Sequence, residues 1–235
     1  MHIEKIELKL LKKVLTKTSL DSIFGTTMTD EEILGIYIWG SRLWGTDNND
    51  SDLDYCIIVS DSSSIWRYEP NGYFQRESED IDLHIMSETR YKKMVQECDE
   101  MALSVYFQEN PLLKYEYKAE INLQNLRKSF SSKANNSYVK AKKKLTVEEG
   151  TQENFKLAYK SMYHSLRLLD FGTEIALLVN GIGTGIYNFT SYGENFEWVR
   201  EEFIIHVDNW EHLHELFRPI YNNYASEFKK LAPKG

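Results

Sequence analysis

Trp39-Gly40-Ser41-Arg42-Leu43-Trp44-Gly45-Thr46-Asp47-Asn48-Asn49-Asp50-Ser51-Asp52-Leu53-Asp54-Tyr55 joins two runs rich in branched and aromatic side chains. The run before it, residues 33–39, stops at Gly40 and has the composition of a buried strand. The run after it, residues 53–60, is a second such strand and ends in the polar cluster Asp61-Ser62-Ser63-Ser64. The stretch therefore reads as strand, Gly-Ser turn, short segment, and a strand that opens on two carboxylates. Side chains at i and i+2 of a strand share a face, so Asp52 and Asp54 converge while Leu53 and Tyr55 face the other way.

Further on, Asp80-Ile81-Asp82-Leu83-His84-Ile85 alternates strictly. That pattern sends Ile81, Leu83 and Ile85 to the core and puts Asp80, Asp82 and His84 on the opposite face. Asp82, flanked by apolar residues in mid-strand, is the third carboxylate, and Asp80 sits at the strand's edge. Carboxylates held side by side need a cation. A hard divalent ion such as Mg²⁺ suits them and commonly takes substrate phosphates as its remaining ligands. The Gly-Ser turn offers backbone N–H groups and a hydroxyl to such an anion. Three carboxylates permit two metal ions, one activating an attacking hydroxyl and one neutralising charge on a leaving pyrophosphate.

Outward from this stretch the chain changes character. Residues 3–15 carry an amphipathic helical stripe. Beyond Ser87, a suitable N-cap, helical spacing runs from Tyr91 to Val105 and stops at Asn110-Pro111. Further helices are expected over 123–144 and 154–179, the latter closed by Gly181, Gly183 and Gly185. One or two more follow over 196–228, with Pro219 at a start or kink. The expected architecture is α+β, with a sheet-bearing first half and a helical second half.

Composition limits the remaining classes. With 42% hydrophobic and 27% charged residues the chain is globular rather than disordered. At 235 residues roughly 70% of its unfolded surface can be buried. No run reaches the length of a membrane span, and the acidic N-terminus lacks the form of a secretory signal, so an intracellular, cytoplasmic protein is expected. Cys56 and Cys98 alone cannot build a zinc ribbon or a disulfide framework. The net charge of −8 argues against a protein that coats nucleic acid with its whole surface. Yet residues 122–147 contain no acid and seven bases, among them Arg127, Lys128, Lys133 and Lys140. That helix face, with Phe130 and Tyr138, is the candidate nucleic-acid-binding surface. Lys160, His164 and Arg167 fall at i, i+4 and i+7 on one face of the next helix.

The pattern Gly-Ser-Arg-x-x-Gly-x(5)-Ser-Asp-x-Asp, here Gly40, Ser41, Arg42, Gly45, Ser51, Asp52 and Asp54, followed by Asp82 between apolar neighbours, resembles the signature of the DNA polymerase β-like nucleotidyltransferase superfamily. The form Gly-Ser-Arg-Leu-Trp-Gly is similar to the stand-alone predicted nucleotidyltransferases associated with RNA repair. The resemblance covers about residues 33–86. It implies a mixed sheet with flanking helices, two Mg²⁺ ions (or Mn²⁺), and transfer of a nucleoside monophosphate from an NTP to a hydroxyl acceptor, an RNA or other nucleic-acid end. Residues 1–118 would form the catalytic domain and residues 119–235 a helical domain closing over the nucleotide. Asp52, Asp54 and Asp82 would hold metal, Asp82 also helping to deprotonate the acceptor. Gly40, Ser41, Arg42 and Ser51 would hold the nucleotide, joined by Lys160, His164 and Arg167. Two alternatives stand beside it: transfer to a protein side chain or small molecule, and a catalytically silent nucleotide-binding module.

Overall fold

The computed structural model describes residues 29–49, 51–77, 81–146, 151–183, 189, 192–207 and 209–234. The helix expected over 3–15, and Asp80, lie outside them. Four strands form one mixed sheet: β1 (Ile33–Ile38), β2 (Leu53–Val59), β3 (Tyr73–Glu77) and β4 (Ile81–Ser87), in the order β1-β2-β4-β3. β2 runs antiparallel to β1 and parallel to β4, and β3 runs antiparallel to β4. Seven helices among the described residues surround or follow it: α1 (Gly40–Leu43), α2 (Glu88–Gln96), α3 (Glu100–Tyr106), α4 (Leu123–Thr146), α5 (Gln152–Val179), α6 (Tyr192–Ile205) and α7 (Trp210–Leu231). The architecture is α+β, as the sequence implies. None of these helices is long and apolar enough to cross a membrane.

Two compact units result. The sheet unit takes in described residues up to 43, then 47–95 and 101–119, and the helical unit takes 44–46, 96–100 and 120 onward. In the sheet unit, Tyr55, Ile57 and Val59 of β2 pack with Leu83 and Ile85 of β4 and with Ile33 and Ile36 of β1. Cys56, Ile58 and Met86, which alternate with them, are as fully buried, so the central strands are covered on both faces. The free edge of β1 is closed by Leu113, which exchanges backbone hydrogen bonds with Ile36, and by the Gln108 amide, which bonds both Ile38 N–H and Ile38 carbonyl. These bonds occupy the ladder positions at Ile36 and Ile38 that another chain would otherwise extend.

Two local features depart from the sequence reading. The helix expected to run through Val105 is two helices, α2 and α3, because buried Cys98 adopts φ of 54°, a left-handed conformation that a helix cannot continue through. Its start is as expected: the Ser87 hydroxyl accepts the Arg90 N–H at 3.2 Å. The second departure is β3, a strand that the sequence reading did not include. Pro219, read as a start or a kink, lies inside α7.

The helical unit is knotted around a charge. Arg167 of α5 is buried and pairs with Glu100, equally buried, at the start of α3. Its guanidinium lies 3.7 Å above the ring centre of Trp44, and Trp44 in turn meets Phe171 and Phe189 edge-on at 5.4 and 5.1 Å. Burial pushes the Glu100 carboxyl up, but His164, Arg167 and Lys133 outweigh it and hold it below its ordinary range. Removing one partner of such a pair leaves an uncompensated buried charge. Glu100→Gln is therefore expected to cost about 3–5 kcal/mol, measured as a lower urea midpoint with an unchanged slope.

Candidate active site

β2 and β4 share a burial pattern: their first two residues are part-exposed and the rest are buried. The carboxylates sit at those open beginnings. Asp54 is in register with Asp82 across the parallel ladder, so backbone pairing alone fixes two carboxylates on adjacent strands, roughly 4.8 Å apart at their backbones. Asp52 is exposed and immediately precedes β2.

The Gly-Ser turn is built against Asp54. Trp39 donates its N–H to the Asp54 carbonyl at 2.8 Å, which carries the β1–β2 pairing one residue beyond Ile38. The chain then reverses at Gly40, whose φ is +63° and whose absent Cβ would stand 1.7 Å from Asp54 Oδ2. Only glycine satisfies both conditions. Ser41 donates its backbone N–H to the Asp54 carboxylate. The turn therefore holds the carboxylate, with α1 contributing four residues and Arg42 exposed. Ser51 closes a separate turn with Asn48, its hydroxyl accepting the Asn48 N–H at 3.0 Å and its own N–H meeting the Asn48 carbonyl at 3.0 Å.

Asp82 is held from β3. Gln75 Nε2 donates to Asp82 Oδ2 at 2.7 Å and to Glu77 Oε1 at 2.9 Å. His84 Nε2 lies 3.5 Å from the same Oδ2, and its Nδ1 shares a hydrogen bond of 2.8 Å with the Tyr73 hydroxyl. Asp82 Oδ1 is buried and has no hydrogen-bond partner. Gln75, Tyr73 and the orienting role of His84 were missed from the sequence. The signal available was the Asn71-Gly72 turn followed by Tyr73 and Phe74, two strand formers with polar residues after them.

Burial raises the Asp54 carboxyl above its ordinary value; the nearby charges of Asp82 and Asp52 raise it further, against the pull of His84 and of the Ser41 N–H. A cation would relieve that repulsion. Among the described residues no group of three or more His, Cys, Asp or Glu side chains is placed to hold a metal ion. Two carboxylates in register with one orphaned oxygen are a partial donor set, suited to an ion that takes its remaining ligands from substrate and water.

The remaining candidates lie in the helical unit. Lys160 is exposed, His164 Nδ1 hydrogen-bonds Arg167 at 2.7 Å, and Arg167 is committed to Glu100 and Trp44. Burial holds the His164 imidazole below its ordinary value; Arg167 adds to this and Glu100 opposes it. Of the basic run, Arg127 is bonded to the carbonyls of Lys229 and Ala232, and Lys133 to Asp99 at 2.8 Å; Lys128 and Lys140 are exposed.

No family model matches the sequence, and no curated protein matches it. A solved structure of a nucleotidyltransferase-like protein from Exiguobacterium sibiricum 255-15 aligns over 90% of this chain and 73% of its own, at 12% identity and a TM-score of 0.31. At that distance the functional reading rests on the carboxylates themselves.

The Asp54 shift has a consequence for stability. The native state keeps this proton to a higher pH than the unfolded chain does, so stability from the group is intact in acid and lost as pH rises through the shifted value. Without divalent ions, Asp54→Asn is expected to melt above wild type at pH 7, the gap closing towards roughly pH 4, where ordinary carboxyls protonate. Thermal unfolding of both proteins across that range measures it.

Proposed function

We propose that this protein is a metal-dependent nucleotidyltransferase that moves a nucleoside monophosphate from an NTP to a hydroxyl, the acceptor being an RNA or other nucleic-acid end. The observation that carries the reading is the in-register pair Asp54 and Asp82, with Asp82 Oδ1 buried and unpartnered beside it. A buried acceptor without a donor is costly unless something fills it. Here the fitting groups are a cation or the proton of an incoming hydroxyl.

Asp54, Asp82 and the adjacent Asp52 would hold Mg²⁺ or Mn²⁺. When bound, the ions would supply Lewis-acid neutralisation of the triphosphate. The chain's own residues do the rest. Asp82, fixed through Oδ2 by Gln75, takes the hydroxyl proton at Oδ1. The hydroxyl oxygen then bonds the α-phosphorus as the bond to the bridging oxygen breaks, and pyrophosphate leaves with that electron pair. Gly40 keeps the space around Asp54 open, and Ser41 steadies its carboxylate.

The test is pyrophosphate release from each of the four NTPs with Mg²⁺ and a bulk RNA fraction. Asp82→Asn and Asp54→Asn are each expected to lower the rate by about a hundredfold or more, since several kcal/mol of charge stabilisation are at stake, and chelation is expected to abolish it. Undiminished release by either purified variant sinks the proposal. NTP binding without any release points to the silent module instead.

A further inference from the structure

The basic residues of α4 do not act as a simple stripe. Arg127 reaches across to the end of α7, its Nη1 donating to the carbonyls of Lys229 and Ala232 at 3.1 and 3.0 Å. Carbonyls carry no formal charge, so the guanidinium keeps its net charge here, steadied by the dipole of α7, which favours a cation at this end. The bond brings Lys128 of α4 beside Lys229 and Lys234, and these three line one hollow of about 520 Å³ together with Arg127 and Ser131.

Two further hollows adjoin it. One of about 480 Å³ shares Lys128 and is lined by Asn125, Ser129 and Ser132. Another of about 540 Å³ shares Ser131 and Lys229 and runs to Arg218 and Tyr221. The hollows are linked through these shared residues along α4, two of them also bordered by α7, and Glu97 is the single acid among their described lining residues. Lys128, Lys229 and Lys234 make no ion pair among the described residues, and the Ser131 hydroxyl is buried without a partner. At the far end, the exposed Arg218 guanidinium lies 5.4 and 5.5 Å from the ring centres of Tyr138 and Tyr221. Its outer face presents a planar cation on which a base can stack.

We infer that this α4–α7 groove binds the backbone of a single-stranded nucleic acid, with Lys128, Lys229 and Lys234 on phosphates and Arg218 under a base. The inference deepens the proposed acceptor class and rests on that reading for the acceptor's identity. Predominantly positive charge, neutral hydrogen-bonding side chains and one stacking platform are what a single strand uses. The groove excludes Lys140 and Lys142, although both belong to the basic run of α4.

Fluorescence anisotropy with an RNA strand of about 12 nucleotides, without NTP or divalent ions, tests it. Each phosphate contact adds about 0.7 to the slope of log affinity against log salt, so Lys128→Ala/Lys229→Ala should lower the slope by about 1.4 and weaken binding irrespective of sequence. Lys140→Ala/Lys142→Ala removes the same charge outside the groove and should leave the slope near wild type. All four lysines are exposed, so both variants keep the fold. Equal losses in the two variants, a duplex of equal length binding as tightly, or no binding at all would each overturn the inference. Because the assay involves no turnover, it can fail while nucleotidyl transfer stands, and it can succeed while transfer fails.

Discussion

Two like charges held together by backbone pairing set the terms for the sheet unit. Asp54 and Asp82 are neighbours because β2 and β4 are parallel and in register, and neither side chain can turn away without disturbing a ladder whose next five pairs are buried. The rest of the local structure answers to that constraint. Gly40 removes the one Cβ that would strike Asp54, Ser41 gives it a backbone donor, and Gln75 and His84 hold Asp82 from its far side. A fold optimised for stability alone would put an amide or an aliphatic residue at one of these positions. Keeping two carboxylates that repel each other is the kind of local cost that functional sites carry.

A comparable logic governs the helical unit, with the sign reversed. Arg167 is a buried cation, and Glu100, Trp44 and His164 are arranged around it. The pair contributes little net stability over an apolar substitute, but its geometry is exacting, so it specifies how Glu100, α5 and the segment at Trp44 meet within the helical unit. That role explains why a residue whose spacing suggests a solvent-facing ligand is spent inside its own unit.

What the sequence disclosed and what it hid differ for physical reasons. Ile33, Tyr55, Leu83 and their neighbours announce their strands because both faces of the central sheet are buried and the runs are long enough to read. The placement of Asp54 and Asp82 at the open beginnings of their strands was legible because strand periodicity is strict, whereas Asp52, read as part of the same strand, falls just before it. β3 was not legible, because Gln75, Arg76 and Glu77 give it a polar surface, as an edge strand permits. The break at Cys98 is a backbone event with no compositional mark. Arg127, Lys133 and Arg167 look alike in sequence as surface bases. Their partners, Lys229 and Ala232, Asp99, and Glu100, lie 34 to 105 residues away and come together only in the fold.

The same long-range pairing reconciles a net charge of −8 with the groove proposed for a polyanion. At physiological ionic strength charges act over about 8 Å, so a phosphate in the groove senses Lys128, Lys229 and Lys234 and little of the acid carried elsewhere. The acidic remainder acts at longer range and in dilute salt, where it opposes approach by any strand that is not aligned with the groove. An arrangement of this kind trades affinity for placement. A strand bound there would be held where local cations outnumber acids and released readily once displaced, the behaviour that the proposed acceptor role would require.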